Sequence, residues 1–178
     1  IPVVLQFTNG LQREFEEVVI DTHSDDALGM HGDPTESEKS VLRALPYRDN
    51  EVILHTDTRL LPKTQRAWSS WNYRLKPGSG RATVTYNMNI LQGLDAPETF
   101  CVTLNDTASI NPHRILGRFN YAHPQFTLAG IEAQQRWGDI NGQNGTWFCG
   151  AYWQNGFHED GLTSGLRVAE SLCAAAQM

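Results

Sequence analysis

His158-Glu159-Asp160-Gly161 stands just ahead of a helical run whose apolar residues are Leu162, Leu166, Val168, Ala169 and Leu172. A helix start of this kind aims unpaired backbone N–H groups, and the positive end of the peptide dipoles, at whatever lies above it. It suits a ligand with electron-rich carbonyls or phosphates. An acidic N-cap beside a solvated histidine is the plainer account of the same residues. Upstream, Trp147-Phe148-Cys149 reads as a short apolar strand that Gly150 ends, and Ala151, Gly156 and Gly161 keep the next residues small. Cys149, His158 and Asp160 also supply, on paper, the nucleophile, base and orienting acid of a thiol hydrolase. Against that, Cys149 ends an apolar strand and has no neighbouring cation in sequence to hold a thiolate.

Other residues carry weaker signals. His55 and Asp57 alternate on one strand face and resemble an acid–base pair, although a satisfied structural pair is the simpler reading. Trp68, Trp71, Tyr73 and Tyr86 lie on strand-like segments, and Trp71 and Tyr73 share parity and therefore a face. That face is either an apolar wall for a substrate or ordinary core. Asn87 and Asn89 are polar positions of one parity that either orient a substrate or brace a neighbouring loop. His23 beside Asp21 and Asp25 fits ordinary loop polarity. The six histidines are dispersed, with no CxxC or HExxH, so the sequence gives no metal motif.

The elements that must position these residues form an α+β pattern. Val3–Phe7 and Phe15–Ile20 read as strands around Asn9-Gly10, a hairpin signal. Ser24 or Asp25 is placed to cap a short helix through Met30, and Thr35-Glu36-Ser37-Glu38 is a capping-box pattern for a helix to about Ala44. Segments 52–57, 67–75, 81–88 and 99–104 read as antiparallel strands, with a turn at 76–80. A helical turn at 112–116, a strand at 118–121 and an amphipathic helix at 127–137 precede the last strand and helix.

These segments together resemble the flavin-containing amine oxidase and phytoene desaturase superfamily. Phe148-Cys149-Gly150 and Gly161-Leu162-Thr163-Ser164-Gly165 match its C-terminal FAD signature, in which a strand ending in Gly leads to a helix that closes over the isoalloxazine. The similarity is strongest to a subgroup of predicted NAD/FAD-binding proteins, bacterial relatives of amine oxidases. It runs through VVIDTHSDDAL (18–28), VILHTDTRLLP (52–62), AWSSWNYRL (67–75), TVTYNMNILQGL (83–94), FCVTLN (100–105) and INGQNGTWFCGAYWQNGFHEDG (140–161).

The resemblance implies a FAD-dependent oxidoreductase, with an antiparallel-sheet substrate lobe joined to part of a FAD-binding domain. Residues 1–30 and 126–178 would belong to the FAD-binding domain and 31–125 to the substrate-binding domain. Gly150, Ala151, Tyr152, His158, Glu159, Asp160 and Gly161 would face the cofactor, with backbone N–H groups near the flavin pyrimidine carbonyl. Trp71, Tyr73, Tyr86, Asn87 and Tyr152 would face substrate. Tyr152-Trp153 only loosely matches the paired aromatics of true amine oxidases. The reaction implied is hydride transfer between substrate and flavin, with an amine or a lipid acyl chain as substrate, and no residue emerges as general base. Where many relatives place an acidic residue after the strand-end glycine, this chain has Ala151, which leaves backbone contacts there.

The family opens on a GxGxxG fingerprint for the FAD pyrophosphate. No GxGxxG occurs here and Ile1 is not an initiator methionine. The chain is therefore expected to be the C-terminal part of a longer flavoprotein that needs an N-terminal dinucleotide-binding segment, inactive alone. The 178 residues suffice for one substantial core or parts of two domains, and a net charge of −6 argues against a nucleic-acid partner. No apolar run is long enough to span a bilayer. Three widely spaced cysteines suit a reducing compartment, so the expected location is cytoplasmic, at most peripheral to a membrane. A non-catalytic ligand-binding module is the rival reading, with a Cys-dependent hydrolase behind it.

Overall fold

Asn9-Gly10 works as the sequence implies. Gly10 takes a φ of +82°, and the Leu11 N–H donates to the Asn9 side chain at 3.0 Å, which turns β1 (Val3–Gln6) back onto β2 (Gln12–Phe15). The computed structural model in which this is seen describes residues 2–75 and 83–175, so the turn expected at 76–80 lies outside it. The chain forms two units, Ile1–Arg48 with His123–Met178, and Asp49–Ala122.

In the first unit the hairpin stops at Phe15, and the strand expected to continue to Ile20 is instead a separate one, β3 (Val18–Asp21). It pairs in parallel with β9 (Thr146–Cys149), Val18 opposite Thr146. The cause is a close approach at Gly145, whose φ is +70°: its carbonyl accepts the Val18 N–H at 2.8 Å, and a Cβ there would lie 2.5 Å from the Glu16 carbonyl.

Helix α1 (Ser24–Met30) begins at His23 without a side-chain cap. Ser24, expected as a cap, is wholly buried, and its hydroxyl donates to the Leu45 carbonyl instead. Helix α2 (Glu36–Arg43) has the full capping box: the Thr35 hydroxyl accepts the Glu38 N–H at 3.2 Å, and the Glu38 carboxylate accepts the Thr35 N–H at 2.6 Å. Thr127 caps α4 (Leu128–Gln134) through the Gly130 N–H. The single helix expected over 127–137 breaks at Arg136 and restarts as α5 (Trp137–Ile140), which turns Trp137 and Ile140 into the core.

That core also takes Ala27, Val41, Leu42 and Leu45, with Phe148, Tyr152 and Val168. Each large apolar side chain removed from water contributes about 1.5–3 kcal/mol. Because Val41, Leu42 and Leu45 belong to it, residues 31–48, which the sequence reading grouped with 49–125, fall in the first unit.

The second unit holds a five-stranded sheet in the order β5-β6-β7-β4-β8, with antiparallel pairing along β5-β6-β7-β4. Its strands are β4 (Tyr47–His55), β5 (Trp71–Arg74), β6 (Thr83–Asn87), β7 (Cys101–Leu104) and β8 (Ile115–Pro124). The reading of 67–75 as one strand fails at its start, where Gln65–Ala67 is a 3-10 turn. The four-residue strand expected near 118–121 proves to be ten residues long. The short helix α3 (Met88–Gln92) follows β6. Ile53, Leu60 and Ile110 form a small apolar cluster, beside which His55, Thr85 and Thr103 are buried polar residues.

Among the described residues, no helix is long and apolar enough to cross a membrane.

Candidate functional site

All four residues of β9 are buried, as a short parallel strand requires. Gly150 then turns the chain with φ +145° and ψ 162°, and its N–H donates to the Ser164 hydroxyl at 3.1 Å, tying the strand end to α6 (His158–Ala175). Its lack of a side chain is explained by protein. A Cβ would lie 2.6 Å from the Tyr152 ring and 3.0 Å from the Thr22 carbonyl. Gly161 is different, because a Cβ there would meet Ala151 only at 3.9–4.0 Å, an ordinary contact. Ala151 and Gly161 are thereby brought together.

Tyr152, expected to face cofactor or substrate, is packed inside the protein. The turn Ala151–Trp153 drives it inward to 1% exposure, against Tyr47 and Trp153. Its hydroxyl has no hydrogen-bond partner among the described residues, and the Trp153 indole N–H donates to the Phe148 carbonyl at 3.1 Å instead. Burial, then the neighbouring Cys149 and Tyr47, hold the phenol well above its usual range, so it stays protonated.

Asp160 also points inward. Its carboxylate accepts the Phe157 N–H at 2.8 Å and the Asn155 N–H at 3.2 Å, bracing the loop before α6. The Asp160 and Gly161 N–H groups close onto the Phe157 carbonyl at 3.1 and 3.2 Å. His158 and Glu159 then remain at the helix start with exposed side chains, and no described residue accepts their N–H groups. Two free donors at the positive end of an 18-residue helix suit a carbonyl oxygen that gains negative charge. What this helix start offers a ligand is therefore backbone N–H groups and not the Asp160 carboxylate, which is committed to the Asn155 and Phe157 amides.

The thiol-hydrolase reading does not survive this geometry. Cys149 is 4% exposed, and burial followed by Asp21 pushes its thiol up to about 11, so it has no thiolate to offer. The Asp160 carboxylate is already committed to two backbone amides.

In the second unit, directly opposed residues share a sheet face. Trp71 lies opposite Tyr86, Tyr86 opposite Val102, and Val102 opposite Leu54. Trp71, Tyr73 and Tyr86 therefore do share one face, with Trp71 edge-on to Tyr86 at 5.5 Å. Trp71 and Tyr73 remain 42% and 64% exposed. The sequence reading missed two further aromatics. Gly117 on β8 lies beside Leu54, so the same-parity Phe119 and Tyr121 extend this face, stacked at 5.7 Å. Both lie within the strand read at 118–121, and their i, i+2 alternation was the available signal; what the sequence lacked was the neighbour, β4, that puts them on this face.

Asn87 is on the opposite face. It is 1% exposed and caps α3 by accepting the Ile90 N–H, which accounts for its polarity by structure. Asn89 braces a loop, bonded to the Glu98 carbonyl and the Phe100 N–H. His23 stacks on Tyr47 at 4.0 Å, which accounts for it as a packed loop residue.

His55 and Asp57 are both buried. His55 Nδ1 accepts the Asp57 N–H at 3.1 Å, so Nε2 carries the proton and donates to the Thr103 hydroxyl at 2.8 Å. Burial, only partly offset by Asp57, depresses the imidazole pKa and keeps it neutral. This is a satisfied structural pair.

A scan against known protein families finds no match, and no curated protein matches. Among solved structures, the chain is similar to the putative protoporphyrinogen oxidase from Exiguobacterium sp. 255-15, with a TM-score of 0.62 at 11% identity. The match covers 96% of this chain and 44% of that one, so this chain spans less than half the length of the protein it resembles. At that identity the likeness is one of fold.

Proposed function

We propose that this chain is the cofactor-closing and substrate-facing part of a FAD-dependent oxidoreductase. The observation that carries the reading is the pair of unpartnered His158 and Glu159 N–H groups at the α6 start, set in a fold that follows part of an oxidase over 96% of its length. Bound FAD would supply the hydride-transfer chemistry. The chain would contribute two fixed donors toward the pyrimidine carbonyl, where they favour the reduced, more negative form without reorganising. Residues 1–48 and 123–178 would carry this contact, and 49–122 would present Trp71, Tyr73, Tyr86, Phe119 and Tyr121 to an apolar substrate, of which an acyl chain suits the aromatic face better than a small amine.

The remaining cofactor contacts would come from an N-terminal dinucleotide-binding segment. The β3–β9 pair supports that. Two parallel strands alone fall short of a stable sheet, and Val19 on β3 stays 46% exposed, where parallel strands are normally covered.

The test is the visible spectrum of the chain, and of the same chain fused to a dinucleotide-binding segment, after incubation with FAD and desalting. A flavin band retained by the fusion is expected. His158→Pro then separates backbone from side chain, because proline is tolerated at the first helical position yet lacks the N–H. FAD affinity should fall by about tenfold, the worth of one hydrogen bond to a charged group, while His158→Ala changes little. No band in either protein sinks the reading and favours a non-catalytic binding module.

A further inference from the structure

We infer that a cleft of about 510 Å³ in the second unit, at the end of β4, binds a small oxyanion, either a carboxylate or a phosphate. Its lining includes Asp57, Arg59, Glu98, Thr99, Asn111 and Arg114, and it is independent of the flavin reading.

The argument starts from the buried side of the cleft. Asp57 is held by His55, which takes its N–H, and the His55 ring is in turn fixed by the Thr103 and Thr85 hydroxyls at successive distances of 2.8 Å. The Asp57 carboxylate accepts the Asn111 N–H at 2.7 Å, the Arg59 N–H at 3.1 Å, and Arg59 Nε and Nη2 at 2.9 and 2.6 Å. Its charge is fully used by these partners. A guanidinium has two edges that can grip an oxyanion, one through Nε and Nη2 and one through Nη1 and Nη2. Asp57 occupies the first. The second is left open, with Nη1 lacking any partner among the described residues, and the side chain is 65% exposed. Asp57 thus orients Arg59 and consumes only one of its forks.

A second guanidinium lines the same cleft. Arg114 approaches the Glu98 carboxylate at 3.7 Å, beyond hydrogen-bond length, and both are more than half exposed. An oxyanion seated between Arg59 and Arg114 would displace this loose contact. The Asn111 Oδ1 accepts the His113 N–H, which leaves its amide NH₂ as a further donor, and Thr99 adds a hydroxyl. Two guanidinium groups, Arg59 and Arg114, face two carboxylates in this lining: Asp57 is already paired with one edge of Arg59, and Glu98 is the loosely held charge an anion would have to displace.

That charge arrangement yields a test with opposite signs. Titrate the isotope-labelled chain with sodium phosphate and, separately, sodium succinate at constant ionic strength, following the amide and Arg Nε–H signals by NMR. Saturable shifts at Arg59, Asn111 and Arg114 are expected with at least one of the two, and which anion binds more tightly separates the two sources. Arg114→Ala should weaken binding by roughly tenfold, as for loss of a charged hydrogen bond. Glu98→Gln should strengthen it by roughly two- to fivefold, since it removes an exposed competing charge. Should Arg59→Ala unfold the unit, Arg59→Lys keeps the charge and loses the fork, and should also weaken binding. Shifts that do not saturate, shifts centred on the α6 start, or a Glu98→Gln variant that binds less well would each overturn the proposal.

Discussion

Gly150→Ala separates a glycine needed by the fold from one needed by a ligand. At φ +145° and ψ 162°, Gly150 occupies a region that is essentially closed to other residues, at a cost of about 1–3 kcal/mol. The added Cβ would also lie 2.6 and 2.9 Å from two Tyr152 ring carbons and 3.0 Å from the Thr22 carbonyl. Overpacking of that kind adds about 1–3 kcal/mol. The substitution should therefore destabilise the chain by about 2–6 kcal/mol, or roughly 10 °C in Tm for the middle of that range at 178 residues. The assay is urea unfolding followed by near-UV circular dichroism, run as a cycle with Tyr152→Ala. Removing the ring relieves the collision but not the backbone strain, so the two sites should couple by about 1–3 kcal/mol. A cost below about 0.5 kcal/mol, or no coupling, would refute the packing argument. Normal stability with lost FAD binding would instead show that Gly150 is small for the ligand.

Tyr152→Phe removes a buried hydroxyl without a protein partner and should leave stability unchanged or raise it by about 1 kcal/mol in thermal unfolding; a clear loss would reveal a partner for that oxygen. Asp160→Ala strips an acceptor from the Asn155 and Phe157 amides and should cost about 2–4 kcal/mol in the same assay, with Asp160→Asn milder because it keeps one acceptor oxygen. Stability should decline on acidification in two steps. The His55 pKa is depressed in the fold, so its contribution is present above the unfolded value of about 6.5 and is lost as pH falls below it. Arg59, with the Asn111 and Arg59 amides, holds the Asp57 carboxyl far below the usual carboxylate range, so its contribution persists until pH drops under about 4. An imidazole NMR signal for His55 that titrates near 6.5 in the folded chain would contradict the first step.

Local chemistry was the legible part of this chain. Thr35 and Glu38 specify a helix start because both bonds of a capping box lie within four residues. Asn9-Gly10 specifies a hairpin turn, since glycine alone takes φ +82° without strain. Trp147-Phe148-Cys149 reads as a buried strand on composition alone, and the shared face of Trp71 and Tyr73 follows from strand parity. The start of α6 was also visible, though not what its residues would do. Asp160 reads as an acidic group facing a ligand, yet its carboxylate turns inward to two amides that come from the loop behind it.

Pairings over long separations were not legible. Nothing in residues 18–21 announces a parallel partner at 146–149, because one strand's pattern does not encode which edge it will meet. The same limit hid Phe119 and Tyr121, whose membership of the aromatic face depends on β8 lying beside β4. Asn87, polar on a strand, became a helix cap once the chain turned into α3. Arg59 and Arg114 are 55 positions apart and meet only because the ends of two neighbouring strands enclose one cleft. The sequence by itself determined where helices start, where the chain turns and which residues prefer to leave water, since those follow from interactions within a few residues. The tertiary structure alone decided which amides stay unpaired, which carboxylates are consumed and which faces remain open, because each depends on a partner supplied from far along the chain.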